Sequence, residues 1–325
     1  LELQRIVTAD HGNVMRITPD GKQAVVYGDG YRDGEYHPKA IVYRLSGGTL
    51  ADPHPLDLDL PEEGAPRINN LAFSPEGLVA AISFADGNVQ IWSRRPDHTW
   101  EFSHSLRMPD GAAQVRATFD REGRLITGDN SGNVRIWDLF PSGQNQPELL
   151  HLLPCPDAVT SLATSPNGQL LVTGSQGGIL QVWTISDGSG LVAEREGFGT
   201  QEDSRAPNAA LKGAFSIALA RQRQLLFSTS PGDGEHPNAI MAWNVEGGRL
   251  TPAFLLEGHS NPPGKLIVSP DERFLVSGEM PFSGRDYDYP ILIWDLETRE
   301  SRVLTYCAFP NFAFSPDGAT LAGQG

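Results

Sequence analysis

Apolar positions along the chain fall in short runs separated by turn-forming residues, and no helical spacing survives over about ten residues. Six of the runs share one shape, an apolar segment closed by an aromatic: Ala40-Ile41-Val42-Tyr43, Val89-Gln90-Ile91-Trp92, Val134-Arg135-Ile136-Trp137, Leu180-Gln181-Val182-Trp183, Ile240-Met241-Ala242-Trp243 and Leu292-Ile293-Trp294-Asp295. The aromatic ends recur roughly every 45–60 residues, a spacing that suits one four-stranded unit per repeat.

A second landmark keeps phase with the first. Thr18-Pro19-Asp20-Gly21, Ser74-Pro75-Glu76-Gly77, Ser165-Pro166-Asn167-Gly168, Ser269-Pro270-Asp271 and Ser315-Pro316-Asp317-Gly318 each follow a short apolar stretch. Proline presets φ at the second position of a turn, and Asp, Asn and Gly tolerate the positions after it. Asp120-Arg121-Glu122-Gly123 and Ala220-Arg221-Gln222 fill the two phases without proline, so the turns count seven units. After each turn comes an apolar strand that tends to end in a hydroxyl residue and glycine, as in Leu125-Ile126-Thr127-Gly128 and Leu275-Val276-Ser277-Gly278. The aromatic-ending strand is third, and a more polar strand, such as Glu148 to Leu153, is fourth.

These motifs resemble the WD40-repeat family over essentially the whole chain. Trp-Asp stands at Trp137-Asp138 and Trp294-Asp295, and has drifted to Trp92-Ser93, Trp183-Thr184, Trp243-Asn244 and Tyr43-Arg44. The family's Gly-His pair stands at Gly258-His259. The resemblance implies an all-β fold: a seven-bladed β-propeller of four-stranded antiparallel blades, with Glu2 to Val7 as the outermost strand that joins the last blade and closes the ring. It also implies a hydrogen-bonded set of His, Ser/Thr, Asp and Trp inside a blade. The sixth blade comes closest, with His259, Ser277 and Trp294, but an insertion fills the turn that would carry its Asp. Ser131 and Gly177 stand at the Asp position of the third and fourth blades. Residues 1–325 read as one domain, and a seventh repeat without a third strand leads us to expect a longer multidomain parent.

Composition fits such a fold. Thirty-five Gly and 25 Pro among 325 residues supply many tight turns. A net charge of −15 makes phosphate backbones and anionic lipid poor partners. No apolar run approaches the roughly 20 residues needed to span a bilayer. Two cysteines, Cys155 and Cys307, read as unpaired thiols and suggest a reducing, cytoplasmic setting.

Function is expected in loops. The connections from second to third strand are short in blades two, three and four. They are long in blade one (29–39), blade five (231–238) and blade six (279–290). In the propeller that the resemblance implies, these loops emerge on one face, over blades five, six, seven and one. Long loops on a rigid scaffold are where binding residues concentrate, and aromatic and arginine side chains are favoured there. The candidates are Tyr31, Arg32, Tyr36, His37, His236, Phe282, Arg285, Tyr287 and Tyr289, for a protein or peptide partner. An acidic echo, Asp33, Glu35 and His37 against Asp233, Glu235 and His236, raises a metal reading but lacks the tight spacing of a ligand set. We therefore assign no metal and no cofactor. Esterase-elbow, zinc-protease and phosphate-loop motifs do not occur. The chain accordingly reads as a non-catalytic binding platform within a signalling or defence-type protein. An enzyme, or a small-molecule or metal-binding propeller, using the central channel is the alternative.

Overall fold

The computed structural model describes residues 13–32, 35–46, 49–61, 64–142, 146–165, 168–185, 190–196, 216–220, 222–229, 236, 238–246, 249–279, 289–307 and 311–323. They form six four-stranded antiparallel sheets and one two-stranded sheet. The first sheet is β1 (Asn13–Ile17), β2 (Gln23–Arg32), β3 (Glu35–Ser46) and β4 (Thr49–Pro55). The second is β5 (Ile68–Phe73), β6 (Val79–Phe84), β7 (Asn88–Arg94) and β8 (Trp100–Arg107). The third is β9 (Arg116–Phe119), β10 (Leu125–Gly128), β11 (Asn133–Asp138) and β12 (Glu148–Pro154). The fourth is β13 (Val159–Thr164), β14 (Leu170–Ser175), β15 (Ile179–Thr184) and β16 (Gly190–Glu196). The fifth is β17 (Ile217–Ala220), β18 (Leu225–Thr229), β19 (Ile240–Glu246) and β20 (Arg249–Leu256). The sixth is β21 (Pro263–Val268), β22 (Phe274–Glu279), β23 (Tyr289–Asp295) and β24 (Ser301–Cys307). The pair β25 (Phe312–Phe314) and β26 (Leu321–Gly323) completes the series.

Two compact units emerge. One is Leu1–Asn130, Arg135–Leu150 and Asn311–Gly325; the other is Ser131–Val134 and His151–Pro310. The first holds sheets one and two, the β9–β10 hairpin and the β25–β26 pair, the second holds sheets four to six, and β11 and β12 are divided between them.

Seven turn-joined hairpins are present, as the turn count predicts, but only six of them grow into four-stranded blades among the described residues. This corrects the expectation of a seven-bladed propeller to six four-stranded blades among the described residues. The seventh hairpin has no described third or fourth strand to pair with. The segment Glu2 to Val7, read as a closing strand, lies outside the described residues. The β25–β26 pair packs on the first sheet, where Ala322 joins Met15, Ala24 and Val26.

The serine–proline turns work through their hydroxyls. The Ser74, Ser165, Ser269 and Ser315 oxygens accept the N–H five residues on, from Val79, Leu170, Phe274 and Thr320 at 2.8–3.1 Å. Asp120 does the same work with a carboxylate, which accepts the Arg124 N–H at 2.9 Å and the Arg124 side chain at 2.6 Å. Each turn needs a left-handed residue, usually glycine; two turns hold Gln224 (φ 53°) and Glu272 (φ 54°) there instead. Consecutive turns nest, since a Cβ on Gly77 would lie 3.0 Å from Pro19 Cδ.

The cores lie between blades, because each sheet is apolar on both faces. Ala81, Val89 and Ile91 of the second sheet meet Val115, just before β9, and Ala117 and Leu125 of the third sheet. Phe227 and Ala242 of the fifth meet Leu266, Leu275 and Leu292 of the sixth. Each fully buried side chain of this size contributes about 1.5–3 kcal/mol. The outermost strands carry bulges at a recurring place, beside the aromatic end of the third strand: Ile91/Trp92, Val182/Trp183 and Ala242/Trp243. A bulge twists the free edge away and discourages edge-to-edge pairing.

Candidate functional site

The rigid part of each blade is set by its aromatic. In four sheets the indole N–H donates to a hydroxyl on the second strand. Trp137 reaches Thr127 at 3.0 Å, Trp183 reaches Thr173 at 3.2 Å, Trp243 reaches Ser228 at 2.9 Å and Trp294 reaches Ser277 at 2.7 Å. The second sheet departs from this. Trp92 donates to Gln90 Oε1 at 3.2 Å, while Ser83 turns to donate to the Val115 carbonyl at 2.8 Å. Tyr43 replaces the indole in the first sheet and packs, half-buried, against the cluster of Met15, Ala24, Val26 and Ala322. The aspartates after the tryptophans cap turns: Asp138 accepts the Phe140 N–H at 3.0 Å, and Asp295 the Glu297 N–H at 2.9 Å.

In the sixth sheet the set is complete, with glutamate as its acid. His259 Nε2 lies 2.6 Å from Ser277 Oγ, and its Nδ1 lies 3.3 Å from Glu279 Oε1. Glu279 also accepts the Ser260 N–H and the Asn261 side-chain amide, each at 2.7 Å. His259 and Glu279 side chains are essentially excluded from solvent. Burial works to raise the Glu279 carboxyl, but the hydrogen bonds from His259, Asn261 and the Ser260 N–H outweigh it and hold the group below the usual glutamate range. The imidazole thus bridges the carboxylate through Nδ1 and the serine hydroxyl through Nε2, and that hydroxyl also accepts from Trp294. Glu279 opens the stretch read above as a loop. Its extra methylene reaches from the end of β22 to where a shorter acid would need the turn.

Two other sheets put sulfur where the sixth puts its histidine. Met108 Sδ lies 3.7 Å from Thr127 Oγ1, and Cys155 Sγ lies 3.6 Å from Thr173 Oγ1. Cys155 is half-buried and carries a thiol, not a disulfide; the Cys307 side chain lies outside the described residues. In the third sheet Asp129 is buried against Arg135, so the acid there precedes Ser131, the position expected for it.

The polar set in the sixth sheet anchors neighbouring loop structure. Ser260, whose N–H it holds, accepts a 2.9 Å hydrogen bond from Asn238 Nδ2 through its carbonyl. His236 Nδ1 sits 2.6 Å from Glu257 Oε1, an exposed pair. The β18–β19 connection is thus tied at two points to the segment between β20 and β21, and that segment is tied to Glu279.

The remaining expected site residues distribute as follows. Tyr31, Arg32 and Tyr36 lie on a continuous ribbon, because β2 and β3 pair as far as Tyr31↔Tyr36 and Arg32↔Glu35. The 29–39 stretch is therefore mainly strand where a loop was expected. Asp33-Gly34 is a dipeptide suited to a two-residue hairpin, and cross-strand pairing overrides the local Gly and Asp content. His37 is exposed. Tyr289 opens β23 opposite Cys307 and is only 9 % exposed, so its ring belongs to the packing of the blade. Phe282, Arg285 and Tyr287 lie outside the described residues. Among the described residues, no group of three or more His, Cys, Asp or Glu side chains converges on one point, and no helix is long and apolar enough to cross a membrane.

Comparison with known proteins follows the same lines. The family model "WD domain, G-beta repeat" matches residues 60–93 and 147–184. The chain is 29% identical over 127 residues to the target of rapamycin complex subunit wat1 of Schizosaccharomyces pombe, covering 38% of this chain and 37% of that one. It is 22% identical over 311 residues to transducin-like enhancer protein 2 of Mus musculus, covering 91% of this chain and 36% of that one. The chain thus spans little more than a third of either relative. A chain in the crystal structure of the mitotic checkpoint complex superposes with a TM-score of 0.67 at 16% identity, covering 99% of this chain and 86% of that chain. That likeness establishes the propeller type of fold.

Proposed function

We propose, from the match of residues 60–93 and 147–184 to the WD domain, G-beta repeat model, that this chain is a WD40-type propeller and a non-catalytic platform that binds a protein or peptide partner. The surfaces that carry the binding are the β2–β3 ribbon of one unit and the β18–β19 and β22–β23 connections of the other. The supporting observation is the rooting of the β18–β19 connection: Asn238 holds Ser260, and Ser260 is held by the buried Glu279. Loops anchored on buried polar groups lose little entropy on binding, so contact energy reaches affinity. His37 and His236 supply accessible polar contacts, and Tyr31, Arg32, Tyr36, Phe282, Arg285 and Tyr287 supply the residue types found at hot spots. A relative is named as a complex subunit, and the structural neighbour comes from a checkpoint complex. Both fit a platform that works inside assemblies, and other domains of a longer parent would be served by it. The charge of −15 supports protein over nucleic acid or anionic membrane as partner.

The test is affinity capture with the intact protein and with the double variant Tyr36→Ala, Tyr287→Ala. The proposal expects partners retained by the parent protein to be lost or strongly reduced with the variant, at unchanged thermal stability. Retention of the same partners in the same amounts refutes the assignment.

A further inference from the structure

The fifth and sixth sheets border a groove of about 500 Å³ at the end of the blades opposite the β18–β19 connection. The antiparallel order fixes this placement. Hairpins β17–β18, β19–β20 and β23–β24 turn at one end of their sheets, and the β18–β19 connection lies at the other. The wall combines Leu225, Pro252, Phe254 and Leu296 with two guanidinium groups, Arg223 and Arg299.

Both arginines are held in place without a carboxylate. Arg223 Nε donates to the Glu272 carbonyl at 2.9 Å, which leaves its terminal nitrogens for another acceptor. The Arg299 guanidinium lies over the Phe254 ring, 4.2 Å from its centroid, and Phe254 is itself braced edge-on by Phe227. Among the described residues, neither arginine forms an ion pair. In a chain with 40 acidic and 25 basic residues, two ordered cations in one groove without an acidic partner make a local exception. Stacking fixes the plane of a guanidinium and directs its N–H groups outward, which favours forked recognition of a carboxylate. The turns around the groove also hold their shape independently of a ligand. The Glu272 carboxylate accepts the Gln222 and Arg223 N–H groups at 2.6 and 3.2 Å, and Arg299 is fixed by its N–H to the Asp295 carbonyl at 2.7 Å.

We propose that this groove is a second binding site, distinct from the loop surfaces above, and that it takes an acidic peptide segment of a protein partner. Glutamate or aspartate carboxylates would meet Arg223 and Arg299, and an apolar neighbour would lie on Pro252 and Leu296. The groove's mixture of apolar wall and paired cations matches a side-chain-bearing peptide better than a bare anion.

Fluorescence anisotropy of a labelled peptide of alternating Glu and Leu tests this, with the Gln-for-Glu peptide as control. The proposal expects saturable binding of the Glu peptide, with the Gln peptide at least about tenfold weaker. Arg223→Gln with Arg299→Asn should weaken binding by about 10- to 100-fold, the loss of one or two charge-assisted hydrogen bonds. Asparagine tolerates the left-handed backbone at position 299 (φ 64°), and an unchanged melting temperature verifies folding. The Tyr36→Ala, Tyr287→Ala variant should bind the peptide as the parent does, which separates this site from the loop surfaces. The proposal is overturned by absence of saturable binding, by equal binding to the arginine variant, or by equal binding of the Gln peptide. It is also overturned if inorganic phosphate or a single-stranded oligonucleotide displaces the peptide at comparable charge concentration, which would reduce the groove to a general anion site.

Discussion

Ser277→Ala is the sharpest perturbation of the blade's interior. The serine hydroxyl is a hub: it receives the Trp294 indole N–H at 2.7 Å and stands 2.6 Å from His259 Nε2. Ser277 and Trp294 are 0 % and 1 % exposed, so water does not replace the lost oxygen without rearrangement. Removing it strands the indole N–H and one imidazole nitrogen. Each stranded buried group costs about 1–3 kcal/mol, and the substitution removes little volume, so the expected loss is about 2–6 kcal/mol. Urea unfolding followed by circular dichroism measures this from the midpoint at constant slope. Trp294→Phe, alone and combined with Ser277→Ala, closes a double-mutant cycle. Coupling of about 0.5–3 kcal/mol is expected for residues in one network. A loss below about 0.5 kcal/mol with additive effects would refute the hydrogen-bonded hub.

Other outcomes follow from neighbouring groups. Because the folded state holds the Glu279 carboxyl low, its contribution is present above the unfolded glutamate pKa and is lost as pH falls through the lower folded value; melting temperature against pH should show this loss, and Glu279→Gln should flatten it. Asp20, lowered to about 2, is held against burial by Thr18, the Lys22 N–H and Arg94; Asp20→Asn should destabilise at neutral pH and be nearly silent near pH 2, by the same melts. Gly132→Ala places a Cβ 2.7 Å from the Cys155 carbonyl at φ 78°, so a loss of about 1–3 kcal/mol is expected on urea unfolding. Trp137→Ala should cost about 3–5 kcal/mol by the same measure.

The repeat was legible because its signals are local. An aromatic closing an apolar strand and a hydroxyl before a proline turn each mark a position without knowledge of their partners, and β10 begins and ends where Leu125 to Gly128 predicts. What depends on distant partners was hidden. Glu279 reads as the first residue of an insertion, and only the fold brings it to His259 and Asn261. Met108 and Cys155 look like ordinary apolar residues until strand register sets them beside Thr127 and Thr173. The 29–39 stretch carries Gly, Asp and Pro in loop-like number, yet cross-strand pairing from Gly28↔Lys39 to Arg32↔Glu35 makes it a ribbon. The arginine groove could not be read at all, because Arg223 and Arg299 come from turns of different sheets. Tyr289 shows the opposite error: an aromatic at a loop edge reads as a contact residue, whereas β23 starts on it and covers it.

The platform account is tested most directly by hydrogen-exchange mass spectrometry of the protein with and without a captured partner. The account predicts slowed exchange confined to the β2–β3 ribbon around 29–39, the connection at 230–239 and the connection at 280–288, with the blade interiors unchanged. Protection absent from all three segments in a saturated complex would contradict it.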